Sequence, residues 1–456
     1  MAINHSYQPT SGLTYDPSNP LYWDEAALGL EVDRVFEVCN GCRMCFKFCD
    51  SFPDLFRFID DGHDGVVKAL TAPEREQVMD ACFQCKLCEV ECPYTPRDNH
   101  EFQLDFPKLV HRYKAQRARK HGFSLRDKLF GDPDGTARMA RASLGVANAM
   151  NRVKAHRWMM EKLFGIHRDK QLPEFAQTTF EKWASLQGKL VMAPSADAEA
   201  VLFQTCYVQN NDPQIGRDAV EVFERNQLRV DCCGGLGCCG MPAWEHGDLE
   251  GMRRSARGVL DRLMPWVERG AKVLTLSPTC SMMMSREWPE LLDGADRERA
   301  KRLAPLVSEA TELLWSIRNE PRFNTGFESS PGPVVAYHAP CHLRAQARGF
   351  KGRDLLKKIP GTTTRMITEC CGHDGTYAMT VEGFEPSQRV GKKAFDGMKE
   401  PAAEVWATDC PLAAIQFEQH AGVKALHPLT ILARAYRSPA ASGVAGEGFA
   451  NKVPRT

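Results

Sequence analysis

The chain has 456 residues, which at roughly 150 residues per domain suggests about three domains. Hydrophobic residues make up 43% and charged residues 25%, and 58 Lys and Arg balance 58 Asp and Glu, so no global polycation points to nucleic acid. With 35 Gly and 28 Pro the chain is neither collagenous nor of low complexity.

Eighteen cysteines in so long a chain point to bound metal, since disulfide scaffolds are usually short and secreted. The opening segment, Met1 to Thr10, has no basic stretch followed by an apolar one. A reducing cytoplasm is therefore the expected compartment. No uncharged apolar run approaches 18 residues; the longest, Val273 to Ser285, has 13 and carries Pro278.

In chain order, residues 1–35 read as an N-terminal arm whose first twenty residues hold three prolines and are extended. Residues 36–105 carry eight cysteines and Pro-bounded turns. Residues 106–190 lack cysteine and read as a basic helical connector. Residues 191–325 and 326–437 read as two copies of one α/β unit, and 438–456 as a flexible tail. The duplication shows in spacing. Cys206 to Cys341, Cys238 to Cys370 and Cys280 to Cys410 are separated by 135, 132 and 130 residues. Short apolar runs, such as Val201 to Phe203 and Val334 to Tyr337, precede the cysteines. Helical segments lie between, and Asp212-Pro213 is a good helix start. Alternating strands and helices predict parallel sheets with the cysteines in loops after strands. The expected fold is thus multidomain, α+β and α/β: a helical ferredoxin-like domain, then two tandem α/β modules.

The eight cysteines of 36–105 form two runs spaced Cys-x2-Cys-x2-Cys-x3-Cys. One is Cys39, Cys42, Cys45 and Cys49; the other is Cys82, Cys85, Cys88 and Cys92, followed by Pro93. This spacing holds 4Fe-4S cubanes in two-cluster ferredoxins, where the fourth cysteine of each run ligates the other cluster. Cluster I is accordingly assigned to Cys39, Cys42, Cys45 and Cys92, and cluster II to Cys82, Cys85, Cys88 and Cys49. Gly41 is expected to relieve backbone crowding near sulfide. Asp50 stands where the first run would have proline. Zinc, the alternative, takes four ligands in paired spacings and fits two such runs poorly.

Each α/β unit offers an early cysteine, a Cys-Cys-Gly doublet and a late cysteine: Cys206, Cys238, Cys239 and Cys280, then Cys341, Cys370, Cys371 and Cys410. Adjacent cysteines do not readily bond to each other, but they can bind neighbouring metals of one cluster. Thr205-Cys206-Tyr207, Cys238-Cys239-Gly240-Met241-Pro242, Ser277-Pro278-Thr279-Cys280, Pro340-Cys341-His342, Cys370-Cys371-Gly372 and Thr408-Asp409-Cys410 resemble the CCG-domain iron–sulfur proteins related to heterodisulfide reductase. The layout is similar to that of the CCG-containing subunits of anaerobic glycerol-3-phosphate dehydrogenase and of glycolate oxidase. The resemblance covers residues 30 to 437. It implies one or two further clusters at these eight cysteines. The chain departs from the family's closing Cys-x2-Cys, with Ser277 in place of its first cysteine in copy one and Ala413 in place of its second in copy two. A simpler cluster, or a dithiol centre, is the alternative to a five-thiolate cluster. The extra doublet Cys232-Cys233 either supplies a missing ligand or consists of buried thiols.

Weaker signals surround these motifs. His338 and His342 flank Cys341, and Glu369, His373 and Tyr377 bracket the second doublet, where they could move protons or make ordinary hydrogen bonds. Residues 108–170 hold sixteen Lys and Arg against five Asp and Glu. Met139, Leu144, Met150, Val153, Trp158, Met159, Leu163 and Phe164 give this stretch an interrupted apolar face. It could pack on the cluster domain, dock a partner or lie on an anionic bilayer. Met282 to Met284 reads as core filling. No phosphate-cradling nucleotide loop is evident, so any flavin is expected in a partner. The expectation is an iron–sulfur electron-transfer subunit of an oxidoreductase, fed by a flavoprotein dehydrogenase or other redox protein and discharging to a quinone or another acceptor. It is expected in the cytoplasm or on the inner face of the cytoplasmic membrane. A stand-alone reductase of a disulfide or peroxide-linked redox partner, and a non-catalytic cluster-binding or sensing protein, are the alternatives.

Overall fold

The structure is a computed structural model that describes residues 7–438 and residue 449. The expected tail, 438–456, lies almost wholly outside these residues. At the other end, Asp24 caps a helix over Glu25–Cys42, its carboxylate accepting the Ala27 N–H at 2.7 Å. That helix crosses the 35/36 boundary and buries Val32, Val35 and Phe36, so the arm ends at residue 24 and not at 35. The arm is also held down. The fully buried Arg112 guanidinium donates to the carbonyls of Gly12 and Tyr22 at 2.8 and 3.0 Å, and Thr10 Oγ1 donates to Glu31 at 2.6 Å. Buried carbonyls need donors, and one Arg satisfies several.

Phe36, Phe52, Phe83, Leu109 and Val110 form the core beneath the two cysteine runs. Arg112 belongs to the helix Phe106–His121, which Asp105 caps and Pro107 helps start. The connector then continues as four short helices, Leu125–Gly131, Pro133–Ala142, Val146–Met150 and Lys154–Phe164. It is not one amphipathic helix, because Gly122 and Gly145 take positive φ values and Pro133 starts a new helix. Its apolar residues face outward: Leu144 is 89% exposed, Leu163 67% and Trp158 51%.

The first α/β module is a five-stranded parallel sheet of β1 (Leu190–Val191), β2 (Ala200–Phe203), β3 (Val230–Cys233), β4 (Lys272–Thr275) and β5 (Val307–Glu309), in the order β1-β3-β2-β4-β5. The second holds β6 (Val334–His338), β7 (Thr363–Ile367) and β8 (Val405–Thr408), in the order β7-β6-β8. Leu202 pairs with Cys232 and Leu274, and Tyr337 pairs with Met366 and Ala407. The triplets β3-β2-β4 and β7-β6-β8 are therefore the same unit, and the parallel α/β expectation holds. Helices Leu249–Val267 and Val381–Lys399 supply matching crossovers. The cysteines follow the carboxyl ends of strands, where open parallel sheets place their chemistry.

Candidate metal centres

Cys39 and Cys42 lie in the last turn of Glu25–Cys42, and Cys88 in the helix Leu87–Glu91. Arg43 and Lys86, at matching places in the two runs, both take left-handed φ, 55° and 62°. These residues turn each loop so that three thiols converge. Gly41 does not: its backbone is helical, and a Cβ there would meet only the Tyr7 hydroxyl at 3.8 Å. Cys39, Cys42, Cys45 and Cys92 line one small cavity with Phe52, Phe56 and Tyr94. Cys88 faces Cys85 and Cys82, with Cys45 and Cys49 further off, and Cys49 also faces Cys82 and Cys85. The eight cysteines are thus gathered in two adjoining groups, each taking three from one run and one from the other. Burial and neighbouring thiolates push Cys45 up to about 12, and Cys39, Cys85 and Cys88 well above the usual thiol value.

In both modules the first cysteine of the doublet accepts the glycine N–H: Cys238 from Gly240 at 3.4 Å and Cys370 from Gly372 at 3.3 Å. Both glycines have positive φ, 85° and 71°. A Cβ on Gly372 would stand 2.0 Å from the Ser387 carbonyl oxygen of the crossover helix, and one on Gly240 would stand 3.0 Å from Met252. Only glycine lets the doublet turn back under that helix. In the first module the thiols of Cys206 and Cys239 donate hydrogen bonds to the Cys238 sulfur, which lowers its pKa and raises theirs. Cys280 adjoins Cys239. Thr205, just before Cys206, holds a φ of 70° with ψ 153°, a strained conformation for a β-branched residue. Asp134 of the connector accepts the Cys238 N–H at 2.7 Å.

The late cysteines are not equivalent. β4 ends at Thr275 and β8 at Thr408, so Ser277 matches Cys410 and Cys280 matches Ala413. Each module keeps a different member of the closing pair, and Cys280 with Cys410 is not a true repeat landmark.

The four thiol groups follow an order that differs from the sequence. Cys45 lies beside Cys49 and its Sγ is 3.9 Å from the Cys88 carbonyl, which joins the first group to the second. Cys85 faces Cys341 and Cys370 of the second module. Cys410 in turn faces Cys280 of the first. His342 pins this junction: its ring nitrogens reach the Gln84 carbonyl at 3.1 Å and Thr279 Oγ1 at 2.9 Å. Lys86, with 0% exposure, pairs with Glu287 at 2.7 Å, and Arg286 pairs with Glu89 at 2.5 Å.

His338 has both nitrogens engaged, by Thr408 Oγ1 at 3.2 Å and the Glu369 carbonyl at 3.1 Å. Burial lowers His338 and His342 to about 4, and both rings are held by hydrogen bonds at each nitrogen. Tyr377 packs on Phe83 at 4.6 Å between ring centroids. Cys232 and Cys233 point to opposite sides of β3, into two different hydrophobic clusters, and burial pushes both up to about 12. They are core thiols. Sequence reasoning missed Lys170, a connector lysine only 2% exposed that faces Cys371 and donates to Gln416 Oε1 at 2.5 Å. Nothing in its local sequence marks it, since the fold alone brings residue 170 to the second module.

The donor chemistry fits iron–sulfur clusters. The thiols are gathered in groups of four; burial and neighbouring thiols make Cys39, Cys85, Cys88, Cys341 and Cys371 costly to ionise without a cation, and a bound metal reverses that cost. Among the described residues, no three His, Cys, Asp or Glu side chains are placed to hold a single metal ion. Comparison with known families agrees. The 4Fe-4S dicluster domain matches residues 38–95, and the cysteine-rich CCG domain matches residues 200–285 and 335–418. The chain therefore carries one segment that matches the 4Fe-4S dicluster domain and two that match the CCG domain. It is 26% identical over 409 residues to a subunit of anaerobic glycerol-3-phosphate dehydrogenase from Escherichia coli strain K12, covering 88% of this chain and 99% of that protein. It is 26% identical over 222 residues to lactate utilization protein A 1 of Bacillus cereus strain AH820, covering 46% of this chain and 87% of the relative. Lactate utilization protein A of Bacillus thuringiensis strain Al Hakam gives 26% over 220 residues, with the same coverage. The dicluster domain and both CCG domains each contain the cysteine groups described above.

Proposed function

We propose that the protein is the iron–sulfur electron-transfer subunit of an oxidoreductase, linking a flavoprotein dehydrogenase to a quinone or similar acceptor. Cluster I is held by Cys39, Cys42, Cys45 and Cys92, and cluster II by Cys49, Cys82, Cys85 and Cys88. The CCG groups Cys341, Cys370, Cys371, Cys410 and Cys206, Cys238, Cys239, Cys280 hold the remaining iron–sulfur sites. When bound, the clusters supply one-electron exchange. The chain supplies placement and insulation. The observation that carries the reading is the unbroken series of four thiol groups, dicluster domain to second CCG domain to first. Similarity to a named subunit of glycerol-3-phosphate dehydrogenase supports a dehydrogenase partner.

A cavity of about 1120 Å³ lies between the connector and both CCG domains, lined by Trp158, Lys170, Tyr207, Asp212, Ile415 and Lys424 among others. Tyr207 faces Cys410 and Lys170 faces Cys371. The cavity is where a small acceptor reaches the second CCG domain. Trp158 belongs both to its lining and to the exposed apolar surface of the connector. No helix among the described residues is long and apolar enough to cross a membrane. Peripheral contact of residues 108–170 with the inner face of the cytoplasmic membrane would bring that opening to a lipid-dissolved quinone. The same cavity supports the second reading, direct reduction of a disulfide or peroxide-linked partner.

Cys82→Ser tests the ligand assignment. Protein prepared without oxygen should lose one cubane resonance on reduction while the other persists; two unchanged resonances would overturn the assignment.

A further inference from the structure

The second CCG domain lacks the closing thiol that Cys280 provides in the first, and the small buried Ala413 stands in its place. The same domain contains an unexplained buried imidazole. His373 is 1% exposed, and neither of its ring nitrogens completes a hydrogen bond among the described residues, although the Gly375 backbone approaches the ring. Native proteins rarely leave such a group unsatisfied without an ion or a water to fill the place.

Its position is informative. The His373 N–H faces the Cys371 sulfur, so the residue begins at the doublet itself. Positive φ at Gly372, Asp374 and Gly375 (71°, 40° and 45°) folds the loop tightly around it. Its neighbours include Lys170 and His420. Ala413, Gln416, Phe417 and His420 share one face of the helix Pro411–Ala421 by their spacing, and Lys170 is bonded to Gln416. His373 therefore lies by the Gln416–His420 stretch of the helix face whose first turn carries Ala413. Gln416 Nε2 and His420 Nε2 on this face also lack partners among the described residues. The other two histidines beside Cys341, His338 and His342, have both nitrogens bonded. The first CCG domain keeps Cys280 and has Met241, not histidine, at the position equivalent to 373.

We propose that His373 is a non-cysteine ligand of the iron–sulfur group in the second CCG domain, its imidazole replacing the thiol that Ala413 lacks. The two CCG domains then carry chemically different sites, one all-thiolate and one mixed thiolate–imidazole. Imidazole in place of thiolate removes negative charge from a cluster and raises its reduction potential, which makes the second domain the electron-accepting site of the pair.

The proposal rests on the reading that this domain holds a cluster, and one experiment separates the two. Holoprotein is prepared without oxygen, with and without 15N-labelled histidine, and pulsed electron paramagnetic resonance is recorded on the signal that Cys371→Ser abolishes. The expected result is a strong nitrogen coupling that changes with the label and vanishes in His373→Leu. His373→Cys should keep the iron content and the signal but lose the coupling. A Cys371-dependent signal without histidine nitrogen coupling, or a coupling that survives His373→Leu, overturns the ligand and leaves the cluster standing. Absence of any Cys371-dependent signal overturns both.

Discussion

Gly372 shows how closely single residues are constrained beside the thiols. Gly372→Ala adds a Cβ where the Ser387 carbonyl stands at 2.0 Å, whereas Gly240→Ala meets Met252 at 3.0 Å. Urea unfolding should show Gly372→Ala destabilised by about 1–3 kcal/mol or more, and by more than Gly240→Ala. Glu309 gives a pH effect. It is buried, accepts from the Ser281 and Thr275 hydroxyls, and burial raises its carboxyl from 4.5 to about 8. Between those values the folded state holds a proton that the unfolded state has released, so stability falls as pH rises from about 4.5 to about 8. Denaturation midpoints across that range should flatten in Glu309→Gln. At this scale the two cysteine runs were readable as a dicluster motif, because three thiols on one short loop have few other uses. The backbone was not. Left-handed φ at Arg43 and Lys86 leaves no trace in residue type, and the glycine of the first run, Gly41, has a helical backbone.

Between elements, the dicluster domain is fastened to the first CCG domain by a buried ion pair, Lys86 with Glu287, with Lys86 also 5.3 Å from the centre of the Trp244 ring. Lys86→Met strands a buried carboxylate and should cost about 3–5 kcal/mol in denaturant unfolding, with Lys86→Met/Glu287→Leu recovering most of it. If the single variant is as stable as the native protein, this pair does not fasten the domains. The repeat was legible in the sequence because the cysteines follow matched strands. The inequivalence of Cys280 and Cys410 was legible too, from Ser277 and Ala413 in the closing pair, and the ends of β4 and β8 agree with it. The connector misled for another reason. Its apolar residues suggest one helix face, but Gly122, Pro133 and Gly145 divide it, and the side chains end up outward.

At the scale of the molecule, the second CCG domain lies next to the dicluster domain in the thiol series, although the first follows it in sequence. Sequence order alone gave no hint of this, since the contact of His342 with the Gln84 carbonyl is long-range and no local pattern encodes it. The exposed connector surface belongs to this scale too. Anionic vesicles at low salt should retain the protein, and Leu144→Glu/Leu163→Glu should weaken that binding about tenfold or more; equal binding by both would remove the membrane role. The whole scheme depends on metal in the CCG domains as well as the dicluster domain. Iron and sulfide content, with electron paramagnetic resonance during stepwise anaerobic reduction, measures this directly. Clearly more than about eight irons per chain, with a signal lost in Cys371→Ser or Cys239→Ser, is the expected result. About eight irons and only two interacting cubane signals would contradict it and turn the CCG cysteines into a dithiol centre.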